Sequence, residues 1–316
     1  MTEPTMGGTA RRGPGTDGPV LVVGRGLIGS ALADRLAGIT RVLTVATRGG
    51  DHPDHVGLDL ATPGGRGGLG ELIGRERPRR VVLTHGPSDV TWIESHEPRA
   101  AEVHRAVAEV VRDARVPAIL VSTDNVFPGT RPGYRDGDPV GPTNAYGRIK
   151  ESCERALASG GDHLVLRVSL VYGWAAPRHR ATYAERCLAA ATAAEPLEAP
   201  TDQEFTPIHV DDVARALAAL SLAPDPVGGV RHLAGPDLVS RHDFAVRAYA
   251  AWDADPGLVR PCLRAETHLA SRPRYSAMVS SDLSEVPGLD GWCPAGVERG
   301  LGAMLASRPR PGPAAE

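Results

Sequence analysis

No stretch of this chain approaches the ~18 apolar residues that a membrane-spanning helix needs, and Met1 to Gly18 carries two arginines without the apolar run of a secretory signal. A soluble, cytoplasmic protein is therefore expected. Cysteine is scarce: Cys153, Cys187, Cys262 and Cys293 lie at least 31 residues apart. That spacing fits neither a CxxC metal clip nor the disulfide framework of a small secreted domain, so free thiols and no metal are expected. An excess of either charge is missing too. With 35 basic and 38 acidic residues intermixed and a net charge of −3, no nucleic-acid or membrane surface is indicated, and the partner is expected to be a small molecule. Internal repeats and abrupt composition shifts are absent, which argues against separable lobes.

At 316 residues and 41% hydrophobic content, the chain suits one large α/β domain with a smaller appended lobe. Apolar runs predict strands over 19–23, 41–46, 56–60, 80–84, 118–122 and 164–168. Helical spacing of apolar positions predicts helices over 27–36, 98–114, 144–159, 182–194, 212–222 and 241–252. Strands alternating with helices imply parallel βαβ units in a Rossmann-type doubly wound sheet, with ligands outside the carboxyl ends of the strands. Residues 18–170 are expected to form the NAD(P)-binding domain, with 205–235 returning to it, and 171–306 an intertwined substrate lobe. Residues 1–17 and 307–316, rich in Gly, Pro, Thr and Ala without periodicity, are expected to be tails.

Tyr146 and Lys150, four apart on one helix, place a phenol and an ammonium on one face as an acid/base device. Upstream, Gly24-Arg25-Gly26-Leu27-Ile28-Gly29 joins an apolar strand to a helix, the context in which a pyrophosphate rests on helix N-terminal amides. The second strand ends in Ala46-Thr47-Arg48, with no carboxylate for a ribose 2′-hydroxyl. Arg48 and the nearby Arg25 favour NADP(H), with NAD(H) the alternative. Asp59 and Leu60, after the third strand, are placed to meet the adenine. His209-Val210-Asp211-Asp212 reads as structural, with Asp211 suited to be a helix N-cap.

Four segments resemble the short-chain dehydrogenase/reductase superfamily of the extended type, and within it the dTDP-4-dehydrorhamnose reductase-like, sugar nucleotide-binding family. Ser122-Thr123-Asp124-Asn125-Val126-Phe127-Pro128-Gly129 resembles its STDYVFxG, and Pro142-Thr143-Asn144-Ala145-Tyr146-Gly147-Arg148-Ile149-Lys150 its PxNxYGxxK. Leu166-Arg167-Val168-Ser169-Leu170-Val171-Tyr172-Gly173 resembles its LRxSWVYG, and Arg272-Pro273-Arg274-Tyr275-Ser276 its RPxxS.

The resemblance implies an NADPH-dependent reductase of a keto group, at C4 of a dTDP-4-keto-6-deoxysugar. Tyr146 would exchange the proton, Lys150 would lower the phenol's pKa and bind the nicotinamide ribose, and Thr123 would hydrogen-bond the reacting oxygen. Asp124, Asn125 and Arg272 would bind substrate, with Arg272 and Arg274 candidates to clamp a diphosphate. Open alternatives are a nucleotide-sugar epimerase or dehydratase, a reductase of a non-nucleotide metabolite, and a non-catalytic cofactor-binding regulatory subunit; a homodimer is an open alternative to a monomer. Two departures stand out. The phosphate turn is one residue shorter than the family's GxxGxxG, and His104, expected to pack, stands where the family has an Asn.

Overall fold

The computed structural model describes residues 18–175 and 179–308. Of the expected tails, 1–17 and 309–316 thus lie outside the described residues. Six strands come first: β1 (Val20–Val23), β2 (Val42–Ala46), β3 (His55–Gly57), β4 (Arg80–Leu83), β5 (Ala118–Thr123) and β6 (His163–Val168). Every residue of β1, β4, β5 and β6 is buried, because a parallel sheet is covered on both faces. Short strands follow: β7 (Val171–Tyr172), β8 (Leu197–Pro200), β9 (Glu204–Phe205), β10 (Ile208–His209), β11 (Gly229–Leu233), β12 (Val239–Ser240) and β13 (Val259–Cys262). A seven-stranded parallel sheet runs in the order β11-β6-β5-β4-β1-β2-β3. Its direction of build reverses between β1 and β4, which opens a crevice at the carboxyl ends of those strands.

The helices are α1 (Leu27–Leu36), α2 (Pro63–Glu76), α3 (Val90–Asp113), α4 (Ala145–Ala158), α5 (Tyr183–Thr192), α6 (Val210–Leu222), α7 (Arg241–Ala251) and α8 (Val297–Ala306). One face of the sheet packs Val20, Val22, Ile119 and Leu166 against Leu32 and Leu36 of α1 and Val213 and Leu217 of α6. The other packs Leu21, Val81 and Leu120 against Leu72 of α2, Val107 of α3 and Leu157 of α4. The second lobe has a different core, built from Tyr172, Tyr183, Phe205, Phe244 and Tyr249 with Val259, Leu301 and Met304. A chain with only 4% aromatic residues thus concentrates them away from the sheet.

Three expectations change. The third helix begins at Val90, not at Pro98: Asp89 caps it by accepting from Thr91 N at 3.1 Å and Trp92 N at 3.3 Å, and a kink at His96 (φ −132°, ψ 25°) precedes Pro98. Proline lacks an N–H to continue the ladder, so two helical pieces meet there. α6 begins at Val210, and its N-cap is His209, whose Nδ1 accepts from Asp211 N at 3.3 Å; Asp211 lies in the first turn. The third strand ends at Gly57, which leaves Asp59 and Leu60 in the loop before α2.

Candidate active site

A cleft of about 1460 Å³ lies over the carboxyl ends of the strands. Single-ligand pockets span roughly 300–1,000 Å³, so this one has room for two ligands side by side. Arg25, Gly26, Leu27, Ile28, Arg48, Asp59, Leu60, Thr123, Asp124, Asn125, Tyr146, Lys150 and Arg272 all line it, as does Gly24. Gly29 lies buried just behind. Arg274 is exposed, stacks over Tyr275 at 5.1 Å and is not among the lining residues, so the expected second clamp arginine is not brought to the site. His209 also lies outside the cleft lining.

The turn after β1 fits a dinucleotide. Gly24 has φ +108°, and a Cβ there would come within 2.8 Å of the His85 backbone. A Cβ on Gly29 would lie 1.9 Å from the Gly24 carbonyl oxygen, so α1 meets the strand at a distance only glycine permits. Thr84 Oγ1 fastens the turn by donating to Gly24 O at 2.9 Å. Gly26 differs: its φ is −75° and a Cβ would meet nothing within 4 Å. No contact among the described residues requires glycine there, whereas a ligand pressed against the backbone would. α1 also has no side-chain cap and no acidic residue in its first turn, which leaves its N-terminal amides and dipole open to an anion. Arg48 at the end of β2 is exposed, and Asp59 holds its own loop by accepting from Ala61 N at 3.1 Å.

On the other side of the crevice, β5 delivers Thr123 and α4 delivers Tyr146 and Lys150. Thr123 Oγ1 accepts from the backbone N and the Nδ2 of Asn125, both at 3.2 Å. Asn144 ties the two elements together. Its Nδ2 donates to Asn125 Oδ1 at 2.9 Å while its Oδ1 caps α4 by accepting from Gly147 N at 2.8 Å. A carbon on Gly147 would lie 2.1 Å from Asn125 O, so the first turn of α4 sits hard against the end of β5.

Lys150 is the single lysine among the 35 basic residues and is 3% exposed. Burial lowers its pKa below 10.5, against the opposing pull of Cys153 and Glu154. The Tyr146 phenol moves the other way. Burial and then the Asp124 carboxylate raise it above 10, with Arg272 opposing. The expected lowering of the phenol by Lys150 is therefore not what the structure shows: desolvation of the phenolate outweighs the charges around it and favours the neutral phenol.

In the loop after β4 and on α3, His85 and His104 face each other with ring centroids 5.4 Å apart. His104 Nε2 donates to Pro87 O at 3.0 Å, and its ring fills the space beside Gly86, where a Cβ would come within 2.2 Å. His85 Nε2 donates to His104 O at 3.3 Å. His104 thus buttresses the loop after β4. Burial and the Lys150 charge push His85 down to about 3 and His104 well below 6.5, so both stay neutral.

The far end of the cleft carries a group of arginines that the sequence reading missed. Arg180, Arg186 and Arg241 join Arg272, with Gln203 beside them. Arg241 donates to Gln203 Oε1 at 2.6 Å and lies 4.6 Å above the Tyr183 ring. Arg180 pairs with Asp89 at 3.1 Å. Arg186 Nε, Arg241 Nη1 and Arg272 Nε are buried without partners among the described residues. Burial and mutual repulsion lower Arg272 to about 9, while burial lowers Arg241 to about 10 despite the nearby Tyr183. Unpaired buried guanidinium N–H groups in such number call for an anionic ligand. One sequence signal for Arg241 existed: a cation at the first position of a helix, where the dipole disfavours it.

Comparison with known proteins agrees with this geometry. The family model described as RmlD substrate binding domain matches residues 19–294. A probable dTDP-4,6-dihydroxy-2-methyloxan-3-one 4-ketoreductase of Streptomyces antibioticus is 32% identical over 261 residues, covering 80% of this chain and 83% of that protein. The dTDP-4-keto-6-deoxy-D-glucose reductase of Streptomyces niveus is 27% identical over 292 residues, covering 89% and 92%. In fold, the chain is similar to the crystal structure of dTDP-4-dehydrorhamnose reductase from Bacillus anthracis in complex with NADP, with a TM-score of 0.78 at 20% identity over 92% of this chain and 100% of that one.

Proposed function

Because the chain belongs to the RmlD substrate binding domain family, within the extended short-chain dehydrogenase/reductases, we propose that it reduces the C4 keto group of a dTDP-4-keto-6-deoxysugar with NADPH. One observation supports this reading: Tyr146 and Lys150 line the same cleft as an open, uncapped glycine turn and a cluster of arginines whose buried N–H groups include three without a partner among the described residues. The turn suits a dinucleotide pyrophosphate, and the arginines suit the diphosphate of a sugar nucleotide.

When bound, the nicotinamide supplies the hydride that reduces the carbonyl carbon. Tyr146, held neutral by burial, gives its proton to the carbonyl oxygen as charge develops there, so that the ketone becomes an alcohol. Lys150 would hold the cofactor ribose and offer its ammonium to the resulting phenolate. Thr123 Oγ1 stabilises the same oxygen. Arg272 and Arg241 hold the diphosphate, while Asp124 and Asn125 shape the sugar site. Arg48 and Arg25 would hold the 2′-phosphate of NADPH, and Asp59 and Leu60 would border its adenine. With four free thiols and a reduced dinucleotide as co-substrate, we place the reaction in the cytoplasm.

The test is NADPH oxidation, followed by absorbance, in the presence of dTDP-4-keto-6-deoxyglucose. One NADPH consumed per alcohol formed is the expected result. Conversion of the sugar without net loss of NADPH would assign an epimerase or dehydratase instead, and turnover confined to phosphate-free ketones would overturn the sugar-nucleotide substrate.

A further inference from the structure

Arg25, in the shortened phosphate turn, does not point freely into solvent. Its Nη1 lies 3.3 Å from Nδ1 of His55, the first residue of β3. A guanidinium carries donors only, so Nδ1 must accept and the ring proton must sit on Nε2. His55 lies against the loop that follows Arg48: a Cβ on Gly50 would be 3.1 Å from that same Nδ1. The contact therefore ties Arg25 to the start of β3 and, through His55, to the β2–β3 loop that carries Arg48 and offers no carboxylate at the end of β2 to a cofactor ribose. Arg25 lines the cleft, whereas His55 does not, so His55 reaches a ligand only through the arginine. Arg25 Nε is buried without a partner among the described residues, which leaves part of its donor array for something that binds.

We propose that His55 is a positioning residue that aims Arg25 at the 2′-phosphate of the dinucleotide, and that protonating His55 undoes the aim, making the choice of NADPH over NADH depend on pH. The inference rests on the NADPH reading above. Below the pKa of His55 the Nδ1 atom becomes a donor, and two donors and two cations then face each other across a contact that had one acceptor. Burial, Arg25 and His52 disfavour that protonation, and Asp54 favours it. Asp54 is itself taken up by Arg41, at 2.7 and 3.0 Å. His52, largely exposed, lies 5.4 Å from His55 between ring centroids. Near neutral pH the neutral, accepting state therefore holds.

The experiment is titration of the cofactor-free protein with NADPH and with NADH, by fluorescence or calorimetry, from pH 5 to pH 8. The native chain is compared with His55→Leu, which removes the acceptor, and His55→Asn, which keeps an acceptor oxygen that does not titrate. In His55→Leu, NADPH affinity should fall about tenfold at pH 8, the loss expected for one misaligned charge-assisted contact, with NADH affinity unchanged. His55→Asn should retain the native preference at pH 8 and keep it at pH 5, where the native chain loses it beyond the change caused by titration of the phosphate itself. NADH binding reports on folding in every variant. An unchanged NADPH-to-NADH ratio in His55→Leu, or identical pH profiles for the native chain and His55→Asn, overturns the role of His55 while leaving the NADPH reading intact. A native chain that never prefers NADPH overturns both.

Discussion

Arg167 on β6 and Glu154 on α4 form a two-point ion pair, Nε to Oε1 at 3.1 Å and Nη2 to Oε2 at 2.7 Å, with both side chains more than nine-tenths buried. Ser122 of β5 also donates to Glu154 Oε1. Glu154 is one turn beyond Lys150, so the pair clamps α4 onto β5 and β6. Removing one partner leaves a buried charge uncompensated, which costs about 3–5 kcal/mol. Arg167→Met should lower unfolding stability by that amount in urea titrations, and Arg167→Met combined with Glu154→Leu should recover most of it. A single variant as stable as the native chain would show that water reaches the pair.

The glycines of the phosphate turn divide by what constrains them. At Gly29 a Cβ would overlap the Gly24 carbonyl at 1.9 Å, whereas at Gly26 it would meet nothing within 4 Å. Gly29→Ala should therefore destabilise the fold, and Gly26→Ala should leave the melting temperature near its native value while abolishing dinucleotide binding. Calorimetry and a binding titration on the same samples separate the two. If Gly26→Ala binds NADPH normally, the pyrophosphate does not rest on that residue.

The sheet was legible because its strands are short apolar runs joined by helices of regular spacing, as in Val20–Val23 followed by Leu27–Leu36. α2 was not legible. Its sequence, PGGRGGLGELIGRE, is rich in a residue that costs ~1 kcal/mol per helical position, yet Thr62 caps it by accepting from Gly65 N and Leu69, Leu72 and Ile73 bury its inner face. One of those glycines is needed for contact: a Cβ on Gly65 would lie 2.0 Å from Asp59 O. At the site, Thr123, Tyr146 and Lys150 were readable because local spacing fixes them on adjacent elements. Arg180, Arg186 and Arg241 were not, since only the folding of the second lobe brings α5 and α7 beside Arg272. The direction of the Tyr146 shift was also hidden, because burial is a tertiary property.

Acid should expose the His85 and His104 pair. Held neutral in the fold at about 3 and well below 6.5, these imidazoles refuse protons that the unfolded chain accepts at 6.5. The unfolded state therefore binds more protons as pH falls below about 6.5, and stability drops by about 1.4 kcal/mol per pH unit for each group until its folded pKa is reached. Denaturant midpoints at pH 7 and pH 5 should differ less in His85→Gln than in the native chain. Equal losses would mean that His85 is already charged or solvated in the fold.

Lys150 allows a direct measurement because the chain has no other lysine. Protein labelled with carbon-13 at the lysine ε position should give one side-chain resonance, and its pH titration reports the ammonium of the site alone. Burial lowers the pKa, so the midpoint should fall below 10.5; a midpoint at or above that value would show that Glu154 and Cys153 outweigh desolvation. The same fact bears on Lys150→Arg. Every other basic position is arginine, yet this buried one keeps a compact ammonium with protons to give. A guanidinium, larger, planar and protonated beyond pH ~12, neither fits the space beside His85 and Cys153 nor releases a proton toward the phenolate. Turnover should fall by ~100-fold or more, the scale of a lost acid/base contribution, and Tyr146→Phe should fall at least as far while still binding NADPH. If Lys150→Arg retains more than about a tenth of native turnover, charge alone suffices at this position, and the proton-handling role assigned to Lys150 is wrong.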